Sequence, residues 1–333
     1  MREQEIRPAT LLAEYLRLSA EDATQLLNPN NYVRRSCPAC EADGADPQFH
    51  KNGFSFVRCQ SCRTLYANPV PTAADLSRFY RDSISQTYWA EVFFPAVAEA
   101  RREIIFAPRV ASIKALADEF GAVQRVLCDV GAGIGLYLDE ARRQGFGDTY
   151  LAVEPSAKMA ETCRRNGHTV HEGFAADAGA DPAWAGRADI ATCFEVFEHM
   201  VDPATLIDDI ATIVRPGGLI VLSGLCGTGF DILTLGADAN AVSPPHHLTF
   251  VSEVGAKRLF ERRGLELLAF KTPGRLDVDI VRNKLNETGR RLTDPFLAYL
   301  MDGASDATRE AFQGFLAEHG LSSHMWLVAR RPV

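Results

Sequence analysis

The sequence of 333 residues predicts an α/β fold, with a largely parallel sheet and helices on both of its faces. The first observation is an apolar run at 125–130 that leads into a glycine-rich turn and then a helical pattern at 134–144. The second is that strand-like runs and helical patterns keep alternating as far as residue 223. The third is an apolar run at 325–329 that suits a closing strand. Alternation of this kind is typical of βα units that build one sheet.

The elements are predicted in a regular order. Before the sheet we expect a helix at 8–27, strands near 54–57 and 64–66, a helix capped by Thr72 that ends near 80, and helices with a connector at 90–120. The sheet strands are predicted at 125–130, 149–154, 168–171, 188–194, 218–223, 265–271 and 325–329. The intervening helices are predicted at 134–144, 156–166, 203–214 and 252–263. We predict helical stretches near 276–286, 295–302 and 306–319 and interpret them as a substrate cover or a dimer surface. The protein is accordingly expected to be a monomer or a homodimer.

The glycine-rich turn departs from the dinucleotide-binding fingerprint. Gly131, Gly133 and Gly135 alternate as G-x-G-x-G, whereas that fingerprint reads G-x-G-x-x-G. Asp129 ends the strand, and its carboxylate would repel a phosphate and favour a cation. S-adenosylmethionine (SAM) carries an ammonium and a sulfonium but no phosphate, and Glu154 at the end of the second strand suits a ribose diol. For this turn alone, a tight βα connection that binds no ligand is the alternative.

Later motifs extend this pattern. Residues 195–199 read Glu-Val-Phe-Glu-His after a strand, and residues 215–218 read Arg-Pro-Gly-Gly, which we interpret as a turn before the next strand. Together with D-V-G-A-G-I-G and A-V-E-P-S, these motifs resemble the class I SAM-dependent methyltransferases over about residues 104–271. The resemblance implies a Rossmann-like, seven-stranded sheet with SAM as the cofactor.

The resemblance also implies which residues contact SAM. The positions carried over are Asp129, Gly131, Ala132, Gly133 and Gly135 at the amino-acid end, Glu154 at the ribose, Pro155 opening the next helix, Phe174 and Ala175 at the adenine, Cys193, Phe194 and Glu195 beneath the methyl group, and Tyr88 and Trp89 as an aromatic cover. Plain core packing is an equal alternative for Tyr88 and Trp89.

Three histidines are candidates for the general base. Methyl transfer needs an aligned nucleophile and often a group that removes its proton, and histidine has a suitable pKa. His199 follows the fourth strand, and His246 and His247 follow the fifth, where ligands gather in folds of this kind. Glu198 would orient His199, or it would instead favour the N-terminal dipole of a helical turn.

Four of the eight cysteines form a separate motif. Cys37, Cys40, Cys59 and Cys62 make two C-x2-C pairs, which predict a tetrahedral zinc site rather than disulfides in a cytoplasmic protein. Four thiolates leave no open coordination position, so we assign the metal a structural role. A redox-active C-x-x-C is the alternative, but it needs a thioredoxin-like context that this segment lacks.

Composition excludes several classes of function. The net charge of −8 argues against a surface that tracks nucleic-acid phosphates. No apolar run approaches the roughly 20 residues that span a bilayer, and the charged start has no apolar signal core, so we expect a cytoplasmic protein. The predicted segments are an N-terminal helix (1–30), a zinc ribbon (31–70), a helical connector or cofactor cover (71–120), the SAM-binding core (121–272) and a helical insertion with the closing strand (273–333).

The ribbon and the core together suggest a substrate class. This pairing resembles bacterial methyltransferases of polysaccharide and secondary-metabolite clusters, and also sugar C-methyltransferases, which are usually longer. We therefore expect O-methylation of a sugar or another hydroxylated small molecule, with a histidine as the base. The alternatives are sugar C-methylation, RNA methylation, a SAM-binding protein without activity and, more remotely, a dehydrogenase.

Overall fold

The computed structural model describes residues 3–333 and confirms the α/β fold. The strands are β1 (Ala45–Lys51), β2 (Phe54–Cys59), β3 (Leu65–Ala67), β4 (Val126–Val130), β5 (Thr149–Glu154), β6 (Thr169–Glu172), β7 (Ala188–Cys193), β8 (Val214–Leu225), β9 (Thr249–Phe250), β10 (Glu266–Lys271) and β11 (His324–Arg330). The helices are α1 (Glu3–Ile6), α2 (Ala9–Leu26), α3 (Ala73–Asp82), α4 (Ile84–Tyr88), α5 (Phe94–Arg101), α6 (Ala107–Glu119), α7 (Leu136–Arg143), α8 (Ala157–Arg165), α9 (Ala175–Ala180), α10 (Pro203–Ile213), α11 (Phe230–Leu235), α12 (Glu253–Arg262), α13 (Asp277–Thr288), α14 (Pro295–Ala298) and α15 (Asp306–Glu318). Within residues 3–333, no helix combines the length and the apolar character needed to cross a membrane.

The chain divides into two compact units. The sheet unit comprises Ala98–Gly224, Ala256–Phe270 and Trp326–Val333. The ribbon unit comprises the described residues up to Val97, together with Leu225–Gly255 and Lys271–Met325.

The sheet unit is built around seven strands in the order β10-β11-β8-β7-β4-β5-β6. The five strands from β8 to β6 pair in parallel. All six residues of β7 are buried, as expected for a parallel strand that is covered on both faces. Leu127, Ile190 and Leu138 belong to the apolar core that helices α6 and α7 cover. The predicted seven-stranded sheet is therefore confirmed.

One turn predicted for this unit is wrong. The Arg-Pro-Gly-Gly segment at 215–218 lies inside β8 instead of preceding it. The register against β7 jumps from Ala188 opposite Val214 to Ile190 opposite Leu219, so the extra residues form an irregular bulge. Gly217 adopts φ +76° within this bulge, a left-handed backbone conformation that glycine tolerates.

The ribbon unit contains an antiparallel sheet in the order β1-β2-β3-β9. Asn52 and Gly53 join β1 to β2 with φ of 48° and 79°, the left-handed pair that a two-residue hairpin requires. Neither β1 nor β9 was expected from the sequence. β1 reads Ala-Asp-Pro-Gln-Phe-His-Lys, a polar run interrupted by proline, and β9 has only two residues.

The helix cap predicted at Thr72 is confirmed, whereas the cap at Asp202 was not predicted. Thr72 accepts a hydrogen bond from the backbone N–H of Asp75 and opens α3, as expected. Asp202 caps α10 in the same way, with Pro203 in the first turn.

Candidate functional site

The glycine-rich loop follows β4 at the carboxyl edge of the parallel strands. Gly131, Gly133 and Gly135 have φ of 73°, 58° and 87°, a region that disfavours other residues. A Cβ added at Gly133 would meet no described atom within 4 Å beyond its chain neighbours. The backbone at Gly133 therefore faces open space that a ligand could fill. Ala132 lies between Gly131 and Gly133 and is half-buried. Its backbone nitrogen lies 3.3 Å from the carbonyl oxygen of Val153.

Glu154 connects this loop to the start of the next helix. One carboxylate oxygen accepts from the N–H of Gly133, and the other accepts from the N–H of Ser156, each at 2.8 Å. The side chain is only 5% exposed, and burial raises the pKa of its carboxyl group against the effect of these two donors. A carboxylate has about four lone-pair sites, so Glu154 keeps acceptor capacity for ligand hydroxyls. Pro155 lies between Glu154 and Ser156 and is exposed.

Asp129 lies inside the sheet, where its carboxylate accepts a 2.7 Å hydrogen bond from the Thr192 hydroxyl. Burial raises the pKa of Asp129 to about 7, although the bond from Thr192 and the charge of Arg109 act in the opposite direction. The strand register puts Asp129 opposite Thr192. The sequence showed the acid but not this partner.

A second polar cluster lies where β7 ends. Glu195 has φ +55°, a strained backbone conformation for this residue, and such strain concentrates at functional sites. Its Oε1 accepts from the Ser223 hydroxyl at 2.6 Å and pairs with Arg109 at 3.2 Å. The Arg109 guanidinium also lies 4.4 Å from the centre of the Phe194 ring, whereas Cys193 is buried in the strand. Sequence reasoning missed Arg109 and Ser223 because neither lies in a recognisable motif.

Glu198 and His199 follow in a short 3-10 turn, Phe197–His199. A carboxylate oxygen of Glu198 lies within 4.8 Å of a ring nitrogen of His199. Glu198 is 2% exposed and His199 is partly exposed. The turn agrees with both predicted roles of Glu198, orienting His199 or favouring a helical turn.

The segment predicted to contact adenine opens α9. The N–H of Phe174 donates to the carboxylate of Asp177, and the Phe174 ring is 68% exposed. Ala175 is buried. The ring is thus available to a planar ligand.

His246 and His247 belong to the ribbon unit and have different surroundings. His246 is fully buried, and its Nε2 lies 2.9 Å from the Ser85 hydroxyl. Burial lowers the pKa of His246 to about 3, and the neighbouring His247 adds to this effect. His247 is only partly buried, and its Nδ1 lies 2.6 Å from the carbonyl oxygen of Ala241.

Tyr88 and Trp89 also lie in the ribbon unit. The Trp89 ring stacks on Phe93 at 4.4 Å and packs against Tyr15 at 5.1 Å. Tyr88 packs against the same apolar cluster. Both residues therefore contribute to packing within this unit.

The four paired cysteines converge in the ribbon unit. Their sulfurs all lie within 4.8 Å of one another, with 3.6 Å between Cys37 and Cys62 and 3.5 Å between Cys40 and Cys59. A tetrahedron of Zn–S bonds of about 2.3 Å spaces its sulfurs about 3.8 Å apart. A disulfide would need about 2.05 Å. The thiols thus fit a tetrahedral metal site.

Comparison with known proteins identifies the family. The family model described as "Methyltransferase domain" matches residues 98–269, about half of the chain. The chain belongs to this methyltransferase-domain family.

Curated relatives match a smaller part. The ubiquinone biosynthesis O-methyltransferase of Xanthomonas axonopodis pv. citri is 30% identical over 155 residues, which cover 43% of this chain and 63% of that protein. The protein of the same name from Methylococcus capsulatus is 35% identical over 106 residues, covering 30% and 44%. The chain thus spans less than two thirds of the length of these relatives. Among solved structures, a SAM-dependent methyltransferase from Archaeoglobus fulgidus aligns with a TM-score of 0.45 and 15% identity, covering 72% of this chain and all of that one.

Proposed function

We propose that this protein is a SAM-dependent O-methyltransferase that acts on a hydroxylated small molecule. The observation that carries the proposal is the contact of the Glu154 carboxylate with the N–H groups of Gly133 and Ser156, beside a glycine loop that faces open space. Family membership over residues 98–269 supports the same reaction class.

The residues of the sheet unit suit the cofactor. SAM, when bound, supplies an electrophilic methyl group on a sulfonium. Glu154 would accept hydrogen bonds from the ribose hydroxyls, and the loop from Gly131 to Gly135 would follow the amino-acid end. Phe174 would lie against the adenine with its exposed ring, and Glu195 would offer a carboxylate near the end of β7. An aromatic cover over the cofactor remains our proposed role for Tyr88 and Trp89, in addition to their packing against Tyr15 and Phe93.

We assign proton removal to His247 or His199. The Ala241 carbonyl can only accept, so His247 donates from Nδ1, and the neutral form of its ring carries the lone pair on Nε2. Such a tautomer suits a general base. His199 keeps Glu198 nearby as an orienting carboxylate.

The acceptor class rests on relatives and on charge. The curated relatives are named as O-methyltransferases of ubiquinone biosynthesis, which supports transfer to oxygen on a small molecule. Sugars remain within this class, although none of the relatives named above points to them. The net charge of −8 disfavours RNA.

We further propose that Cys37, Cys40, Cys59 and Cys62 bind one structural zinc ion. The observed sulfur spacing supports it.

Transfer of a labelled methyl group tests the enzyme directly. The protein would be incubated with SAM carrying a 13C-methyl group and with a catechol, a simple phenol or a nucleotide sugar. NMR of the product distinguishes O–CH3 from C–CH3 and N–CH3. We expect an O–CH3 product, and His247→Gln or His199→Gln should slow its formation without weakening SAM binding. A C–CH3 or N–CH3 product would contradict O-methylation, and SAM binding without any transfer would favour the non-catalytic alternative.

A further inference from the structure

A buried polar chain connects α2, α4 and the segment that carries both histidines. The Asp22 carboxylate accepts from the backbone N–H of Ile84 at 3.1 Å and of Ser85 at 2.8 Å. It also accepts from the Ser85 hydroxyl at 2.5 Å. The Ser85 oxygen in turn lies 2.9 Å from His246 Nε2. Asp22, Ser85 and His246 are 3%, 0% and 0% exposed.

The donors in this chain define the state of His246. A serine hydroxyl has one proton, and here it points to the Asp22 carboxylate, which can only accept. His246 must therefore donate from Nε2 to the Ser85 oxygen. Because burial lowers the pKa of His246 to about 3, the ring is uncharged and its Nδ1 carries the lone pair, 3.5 Å from the side-chain nitrogen of Gln86. His246 is consequently neutral, with one defined tautomer.

The surroundings of His246 exclude it from contact with a substrate. The Phe79 ring lies 5.0 Å from its centre, Tyr15 stacks at 5.5 Å, and Tyr80 lies at 6.3 Å. Titratable groups near it include Asp22, Tyr15, Tyr80 and His247. A general base must reach the proton that it removes, and a fully enclosed imidazole cannot do so.

We propose that His246 is a positioning residue, fixed by Ser85 and Asp22, which holds the adjacent His247 in its Nδ1–H tautomer. His246 and His247 are neighbours in sequence, so anchoring one ring limits the backbone that presents the other. The bond from His247 Nδ1 to the Ala241 carbonyl depends on that backbone. This inference rests on the proposed function for its catalytic consequence, but the tautomers can be observed without any substrate.

The test compares two neighbouring hydroxyl deletions. Ser85→Ala removes the hydroxyl that links Asp22 to His246. Ser83→Ala removes a buried hydroxyl that has no hydrogen-bond partner among the described residues. In 15N-histidine NMR spectra of wild type, assigned with His246→Gln and His247→Gln, we expect His246 as a neutral Nε2–H form from pH 5 to 8 and His247 as Nδ1–H. Ser85→Ala should give His247 a second tautomer, and Ser83→Ala should not.

Steady-state kinetics of methyl transfer supply a second readout. They use the acceptor identified in the labelled methyl-transfer experiment. Ser85→Ala should lower kcat about 10- to 100-fold and shift the pH profile, with little change in KM for SAM. His246→Gln, which keeps an N–H near the Nε2 position, should retain more activity than His246→Leu. If Ser85→Ala does not fold, this pair decides the question in its place. Equal behaviour of Ser85→Ala and Ser83→Ala, or of the two His246 variants, would overturn the positioning role. Absence of SAM binding by wild type would instead overturn the proposed function and leave the NMR result standing.

Discussion

At the scale of single residues, the glycine loop combines left-handed backbone conformations with open space. Gly133 and Gly145 both have positive φ, and a Cβ at either position would meet no described atom within 4 Å beyond its chain neighbours. Only Gly133 also donates its N–H to Glu154. The two glycines thus separate the cost of strain from the cost of a blocked ligand site.

We predict that Gly133→Ala and Gly145→Ala each lower stability by roughly 1–2 kcal/mol, because alanine is strained at positive φ. Only Gly133→Ala should also weaken SAM binding, since its Cβ would project into the proposed site. Urea denaturation measures the first effect and calorimetry the second. Equal SAM affinity in the two variants would argue against a cofactor at this loop.

A second prediction concerns Asp129. Because burial raises its pKa to about 7, the folded protein retains a proton that the unfolded chain releases near pH 3.9, an approximate reference value. The proton retained on Asp129 stabilises the folded state most strongly below about pH 3.9, and this stabilisation is lost as the pH rises to about 7. Relative to Asp129→Asn, the wild type should lose about 1 to 3 kcal/mol of unfolding free energy between pH 5 and pH 8. Parallel pH dependence of the two proteins would show that Asp129 is ionised throughout.

At the scale of elements, the antiparallel sheet of the ribbon unit includes β9, a strand that is distant in sequence from the other three. β9 pairs with β3, and the Arg35 guanidinium donates to the Leu248 carbonyl. From the hairpin, Lys51 donates to the Ala239 carbonyl and Asn52 to that of Pro244. The cysteine-bearing segment therefore supports the segment that carries His246 and His247.

Cys59→Ser should accordingly reduce bound zinc, solubility and the melting temperature together. Cys226→Ser is the matched control, because Cys226 is buried in the same unit but lies outside the four-cysteine cluster. Metal analysis and thermal denaturation are the measurements. A zinc-free protein that stayed folded and lost only substrate affinity would show that the metal serves recognition.

The regular elements were predicted well from the sequence because their patterns are local. The apolar runs of β4, β5 and β7 and the cap at Thr72 depend on neighbouring residues. The four cysteines were found by their spacing alone. By contrast, β9 exists because β3 pairs with it, and the Arg109–Glu195 ion pair joins residues 86 positions apart. Such contacts depend on tertiary structure and leave no local signal.

At the scale of the whole molecule, the net charge bears on whether the protein binds a nucleic acid. With 35 basic and 43 acidic residues, the chain has no excess of positive charge to release counterions from a nucleic acid. We predict no retention of RNA by the purified protein at 50 mM salt, measured by filter binding. Tight RNA binding that weakens steeply with salt would instead support the RNA methyltransferase alternative.

The most direct test of the central claim is calorimetric titration of the zinc-replete protein with SAM and S-adenosylhomocysteine. The proposal predicts saturable binding by wild type, at least about 10-fold weaker binding by Glu154→Ala because the ribose acceptor and the loop contact are lost, and unchanged binding by Glu172→Ala. Glu172 is an exposed carboxylate at the end of the neighbouring β6, where it pairs with Arg164. No binding by folded wild type, or equal binding by Glu154→Ala, would contradict the assignment of the glycine loop and Glu154 as the cofactor site.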